Sequence, residues 1–255
     1  MPFTVAHAFY ALPIRYIKPK YFSATGLILG SMSPDLEYFL HLEPYRSIGH
    51  TWQGLWLQAL PLSIILAALF HYVVKKPLSI HLPGIWQLDA RCYAMLQQEQ
   101  LRSWRAWSIF VLSAIIGFVT HITLDEWTHA HSSFIELLPW IWNESLLSLP
   151  IYKVLQYSTS LVGLIGMVVI LLLSLSRIKQ DKLKLSKLHV SKISSKQKLM
   201  YWSIAVLVAI VTTLLKLAFS ASGNTLGILV VAPISGLVLG IVVASLAPTY
   251  QAFRK

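Results

Sequence analysis

The run His121-Ile-Thr-Leu-Asp125-Glu-Trp-Thr-His129 sets three metal-competent side chains four residues apart. Positions i and i+4 share a helix face, so the three form one polar stripe if the helix runs on through residue 129. Imidazole nitrogen and carboxylate oxygen are the usual non-thiol ligands of zinc, and this spacing lets one helix give two of them to one ion. The same spacing also fits a helix end where a histidine hydrogen-bonds a nearby acid. Three more ionisable residues, His7, Asp35 and His50, stand in or beside apolar stretches. A charge is costly there and tends to serve a function. Asp35 closes Ser33-Pro34-Asp35, which reads as a helix start: Ser as N-cap, Pro at the first position, an acid in the first turn. A carboxylate there also points away from its own helix, so capping and ligation are compatible. His7 and His50, each taken alone, fit a structural role. His41, His71, His81, His131 and His189 are set aside as off the stripes, in a Pro-flanked loop, or toward the other end of the spans. The chain has no phosphate-binding glycine loop, no GxSxG elbow and no HExxH. A single cysteine, Cys92, excludes an internal disulfide framework and a thiolate zinc site.

The elements that must position these residues are long and apolar. Of 255 residues 56% are hydrophobic and 12% charged, and the mean hydropathy is +0.63. A soluble domain carries about a quarter charged residues. Five runs reach the roughly 18 apolar residues that a membrane helix needs: 52–74, 106–124, 154–176, 199–219 and 225–247. Lys216 is the one charge inside them and is expected to snorkel toward headgroups. Gly236 and Gly240 match the small-residue packing pattern of membrane helices. The fold expected is all-α: one polytopic transmembrane bundle over 1–255, with a metal-site half (1–130), then a loop and three C-terminal spans (131–255). Residues 3–17 and 21–41 are apolar but broken by Pro13 and by Ser33-Pro34-Asp35. Counted as crossings they raise the total to about seven. The other reading is five full spans plus a broken N-terminal pair that enters the membrane without crossing it.

Net charge is +11, yet the positive residues are confined to loops, which points to topology rather than to nucleic acid. Segment 177–199 has Arg177, Lys179, Lys182, Lys184, Lys187, Lys192, Lys196 and Lys198 against Asp181, and 75–105 is also net basic. Both are expected to be cytoplasmic, in an integral protein of the bacterial inner membrane. The loop 128–153, with Glu136, Glu144, Lys153, Trp140 and Trp142, then faces outward, and Arg254 and Lys255 fall inside. This places His7, Asp35, His50, His121 and Asp125 toward the outer face, although none of them entered the charge count.

Met1-Pro2-Phe3-Thr4 with His7, then Gly30-Ser31-Met32-Ser33-Pro34-Asp35-Leu36-Glu37-Tyr38-Phe39, then Gly49-His50-Thr51, resembles a bacterial membrane family, the domain of unknown function numbered 4184. The order His, Asp, His, HxxxD is also similar to a group of predicted membrane-bound metal-dependent hydrolases and, more distantly, to zinc-dependent phospholipase C and P1 nuclease. That resemblance implies one zinc among Asp35, His50, His121 and Asp125, and a second held by His7 with Asp125 bridging. The parts of that pattern that complete a third site, an N-terminal Trp and a later HxxxE, are absent. The function expected is a zinc-dependent hydrolase using one or two ions on a phosphodiester or lipid-like substrate at the outer membrane face, with Asp35 as general base. The competing expectation is a non-enzymatic protein, either an ion or proton carrier or a protein stabilised by its metal. The bilayer is the one partner the composition calls for.

Overall fold

The structure is a computed structural model that describes residues 4–129, 137, 144–146, 148–220 and 223–247. His131, Glu136, Trp140, Trp142, Arg254 and Lys255 lie outside them. The described chain is all-α apart from a two-residue β-hairpin pairing Ser145–Leu146 with Leu149–Pro150. Five helices are long and apolar enough to cross a membrane: α5 (Trp52–Ile80), α7 (Trp104–Thr128), α8 (Ile151–Ser176), α10 (Ser195–Phe219) and α11 (Thr225–Leu246). Four contain one of the five apolar runs, extended at the ends by up to six residues, and α11 ends one residue short of the run 225–247. Within the apolar window of α10 only 6% is buried inside the protein, so its leucines and valines need lipid as their solvent.

The N-terminal segment stays broken. It forms α1 (Thr4–Ala11), α2 (Ile14–Ile17), α3 (Ala24–Met32), a 3₁₀ turn (Ser33–Asp35) and α4 (Leu36–His41). The eight residues of α1 reach about 12 Å, well short of the hydrocarbon thickness. Five helices are thus long and apolar enough to cross by themselves, and the N-terminal pair is built of shorter pieces. Ser33 does not cap a new helix as expected. The helical path runs on from α3, and the Ser33 hydroxyl donates back to the Gly30 carbonyl at 2.7 Å.

The chain divides into two compact units. The first comprises residues 1–36, 47–67 and 101–172, and its interior is Leu55, Ala59, Leu60, Phe110, Ala114 and Phe118. Within it α3 and α7 cross backbone to backbone. A Cβ on Gly30 would stand 2.1 Å from the Ala114 carbonyl oxygen, and one on Gly117 would stand 2.5 Å from that of Leu27. Only glycine permits that approach, which recurs at Gly26 against Phe110. α1 packs on α8, where Gly163 receives Ala6 and Gly166 receives Phe9, and the Tyr10 hydroxyl donates to the Thr159 carbonyl at 2.8 Å.

The second unit comprises 37–46, 68–100 and 173–255. In it α6 (Leu88–Leu96) and α9 (Gln180–Val190) enclose Ile80, Ala90, Ala94, Leu183 and Val190. Gly236 and Gly240 pack on Ala209 and Ala205 of α10, as the small-residue spacing indicates. Lys216 does not simply reach for headgroups: its ammonium pairs with Glu43 at 2.8 Å. A partly buried carboxylate within reach offers a stronger partner than a hydrated lipid surface.

Candidate metal centre

All five candidate residues lie in the first unit, and the chain converges them by four separate devices. Asp35 ends the 3₁₀ turn that α3 runs into, where Pro34 has no N–H to satisfy. His121 and Asp125 stand one turn apart on α7, which the glycine crossing presses against α3. His50 precedes the start of α5. There the Thr51 hydroxyl accepts from the Gly54 amide at 3.0 Å and donates to the Ile48 carbonyl at 2.8 Å. A Cβ on Gly54 would stand 1.8 Å from that carbonyl oxygen, so the turn that aims His50 requires glycine. A π-turn (Leu55–Ala59) follows directly, then Pro61. His7 comes from the middle of α1 and lies flat on His121, with ring centroids 3.8 Å apart and planes 16° apart.

The tautomer of His121 follows from its partners. Its Nδ1 lies 2.6 Å from the Ser31 carbonyl oxygen, which can only accept, so Nδ1 carries hydrogen. In a neutral ring Nε2 then presents a lone pair. That atom faces His50 Nε2 at 3.3 Å, Asp125 Oδ2 at 3.4 Å and Asp35 Oδ1 at 3.9 Å. His50 Nε2 in turn lies 3.3 Å from Asp35 Oδ1 and 3.5 Å from Asp125 Oδ2. The four atoms thus form two triangles that share the His50–His121 edge, one closed by Asp35 and the other by Asp125. Zinc bonds of about 2.0–2.1 Å give tetrahedral edges of roughly 3.3–3.4 Å. Four edges match within about 0.2 Å of that range, and the His121–Asp35 edge is wider.

Electrostatics point the same way. A single hydrogen on His50 Nε2 can serve one of its three acceptor neighbours and leaves the others facing each other, an arrangement that a cation relieves. Asp35 is 2% exposed and His121 1%, so water contributes little there. Asp35 Oδ1 and Asp125 Oδ1 have no hydrogen-bond partner, nor does either ring nitrogen of His7, a residue 1% exposed. Burial alone would pull the His50 imidazole down, but the facing carboxylates of Asp125 and Asp35 outweigh it and push the group up to about 9. The residues present therefore fit a divalent ion.

Asp125 has a second face. Its Oδ1 lies 3.6 Å from His7 Nε2 and 3.5 Å from His129 Nδ1, and at 14% its side chain is more exposed than those of Asp35, His50 and His121. The stripe does not run on to residue 129 as a helix. α7 stops at Thr128, and His129 is extended, its Nδ1 3.2 Å from the Asp125 carbonyl oxygen. His121, Asp125 and His7 form one metal-competent group, and Asp35, His50 and His121 another.

Among the described residues the histidines set aside join neither group. His81 is buried and stacks on Tyr201, His71 lies 3.2 Å from the Lys75 ammonium, His41 stacks on Tyr45, and His189 on Tyr93. Burial pushes the Cys92 thiol up to about 11, which leaves it inert. Four contributors escape a reading by ligand type: Thr4, the Ser31 carbonyl, Gly54 and the Gly26/Gly30/Gly117 crossing. The last has a legible signal, since Gly26 and Gly30, like Ser113 and Gly117, repeat small residues every four positions.

A family model described as "Domain of unknown function (DUF4184)" matches residues 1–246. No curated protein and no solved structure matches the chain.

Proposed function

This chain belongs to the family of the domain of unknown function DUF4184, and we propose that it is a membrane-embedded zinc-dependent hydrolase. The observation that carries the metal reading is that Asp35 Oδ1 and Asp125 Oδ2 each lie within 3.9 Å of both His50 Nε2 and His121 Nε2, with the His121 tautomer set by the Ser31 carbonyl. Zinc on such a set polarises a phosphoryl or acyl oxygen and lowers the pKa of a bound water toward about 7. His7 and Asp125 Oδ1 are the groups for a second ion. Asp35, beside the first, is the candidate acceptor of a proton from the attacking water.

Depth and side support a substrate with a lipid-like phosphodiester or ester. α7 begins beside Arg105, and His121 stands 16 residues, roughly 24 Å, along it. If the basic 75–105 segment is cytoplasmic, the centre is at the outer headgroup level. Exposed Trp52 and Trp127, two residues from His50 and Asp125, suit that interface.

A second reading has its own observation. If all four side chains bound one ion they would fill its tetrahedron, the pattern of a structural zinc, whereas a catalytic zinc keeps a position open. The wider His121–Asp35 edge, 3.9 Å, and the partial exposure of Asp125 favour the catalytic reading, since they leave room for a further ligand. Zinc-loaded protein in detergent, given a phospholipid and a chromogenic phosphodiester, separates the two. Product release that chelator abolishes supports the hydrolase. Stoichiometric zinc with no turnover of either, but a large loss of thermal stability on chelation, supports the structural role.

A further inference from the structure

We infer that Thr4 is a positioning residue of the metal centre: its hydroxyl holds one oxygen of Asp35 and so turns the other toward the ion. The inference rests on the metal reading above. Thr4 Oγ1 donates to Asp35 Oδ2 at 2.7 Å. That is a well-formed hydroxyl–oxygen hydrogen bond, at a length a hydroxyl on an ionised carboxylate also takes. Asp35 Oδ1 is the atom 3.3 Å from His50 Nε2 and 3.9 Å from His121 Nε2. Without the hydroxyl the carboxylate can rotate and present either oxygen or both.

The position of Thr4 adds to this. It opens α1, and His7 lies one turn further along, so residues i and i+3 meet the two different acids of the centre. Thr4 binds Asp35 Oδ2 at 2.7 Å, while His7 Nε2 lies 3.6 Å from Asp125 Oδ1. One short helix, anchored on α8 through Gly163 and Gly166, thereby braces both carboxylates. Threonine suits the task because its branched Cβ restricts the hydroxyl to few rotamers. Partners one step behind a metal ligand typically contribute 10–100-fold in affinity.

The test is zinc affinity of full-length protein in detergent, by competition with a chromogenic chelator, for wild type, Thr4→Val and Thr4→Ser. Melting in chelator is measured beside it. Thr4→Val keeps the shape and loses the donor; Thr4→Ser keeps the donor and loses the methyl. The expected result is zinc binding weakened about 10–100-fold in Thr4→Val, restored in Thr4→Ser, with metal-free melting unchanged. Wild-type affinity in Thr4→Val overturns the inference. So does equal weakening in both variants, which would assign the effect to methyl packing. If Thr4→Val does not accumulate as folded protein, Thr4→Ala, which can clash with nothing, carries the same comparison. A wild type that binds no zinc refutes the metal reading itself, and is distinguished by that first measurement.

Discussion

Replacing Gly30 by alanine, five residues from the nearest ligand, should dismantle the centre. On an unconstrained helix this change gains about 1 kcal/mol from helix propensity. Here the added Cβ would stand 2.1 Å from the Ala114 carbonyl oxygen and 2.5 Å from its Cα. Ordinary contact starts near 3.4 Å, so α3 and α7 must part by roughly 1.3 Å along that line. Overpacking of this kind costs about 1–3 kcal/mol, enough to reverse the sign of the propensity gain. The same shift separates Asp35 and the Ser31 carbonyl, carried beyond Gly30, from His121 and Asp125 on α7. Ligand placement tolerates only about 0.5 Å, so zinc affinity should fall at least tenfold. Melting in chelator and a zinc titration of the purified variant read the two effects separately. A Gly30→Ala protein that melts at or above wild type and binds zinc with wild-type affinity would refute the close crossing as the scaffold of the site.

Asp125→Asn keeps the shape but removes the anion facing His50 and His121 at 3.5 and 3.4 Å. Structural zinc binds with about 10–16 kcal/mol, so a one-ligand share of about 3 kcal/mol gives a loss of more than about 100-fold, read as metal per mole against an unaffected His189→Ala control. Gly54→Ala should displace the Ile48 carbonyl and with it His50, lowering zinc affinity while the protein still inserts. In a Cys92→Ser background, cysteines at Lys187 and Ser145, both exposed, should react with an impermeant maleimide from opposite faces, Lys187 from the cytoplasm. Labelling from one face would remove the outer placement of the centre.

The spans were readable because lipid imposes a one-dimensional code: some twenty apolar residues, charges only at the ends. All five apolar runs reappear as helices with ends shifted by a few residues. The five candidate residues that the fold brings together were readable from residue type, since histidine and aspartate in apolar surroundings need a reason to be there. What escaped depends on three-dimensional neighbours. Ser33 looked like a helix start, but the helical path passes from α3 straight into a 3₁₀ turn at Ser33, whose hydroxyl turns back to Gly30. His129 continued a four-residue spacing, yet the helix ends one residue earlier. Lys216 read as a snorkelling lysine because Glu43, 173 positions away, could not be known as its partner. Gly30 and Gly117 carried a spacing signal, but only the crossing shows that their missing side chains set the distance between Asp35 and His121.

The central claim is tested most directly by the metal content of wild-type protein purified in detergent without chelator, beside Asp125→Asn at matched expression. The account predicts one or two zinc ions per chain in the wild type, with absorption-edge fine structure showing nitrogen and oxygen neighbours at about 2.0–2.2 Å and no sulfur, and a large loss in the variant. A wild type that carries no stoichiometric metal even after zinc reconstitution, or an Asp125→Asn protein that carries as much as the wild type, would contradict it.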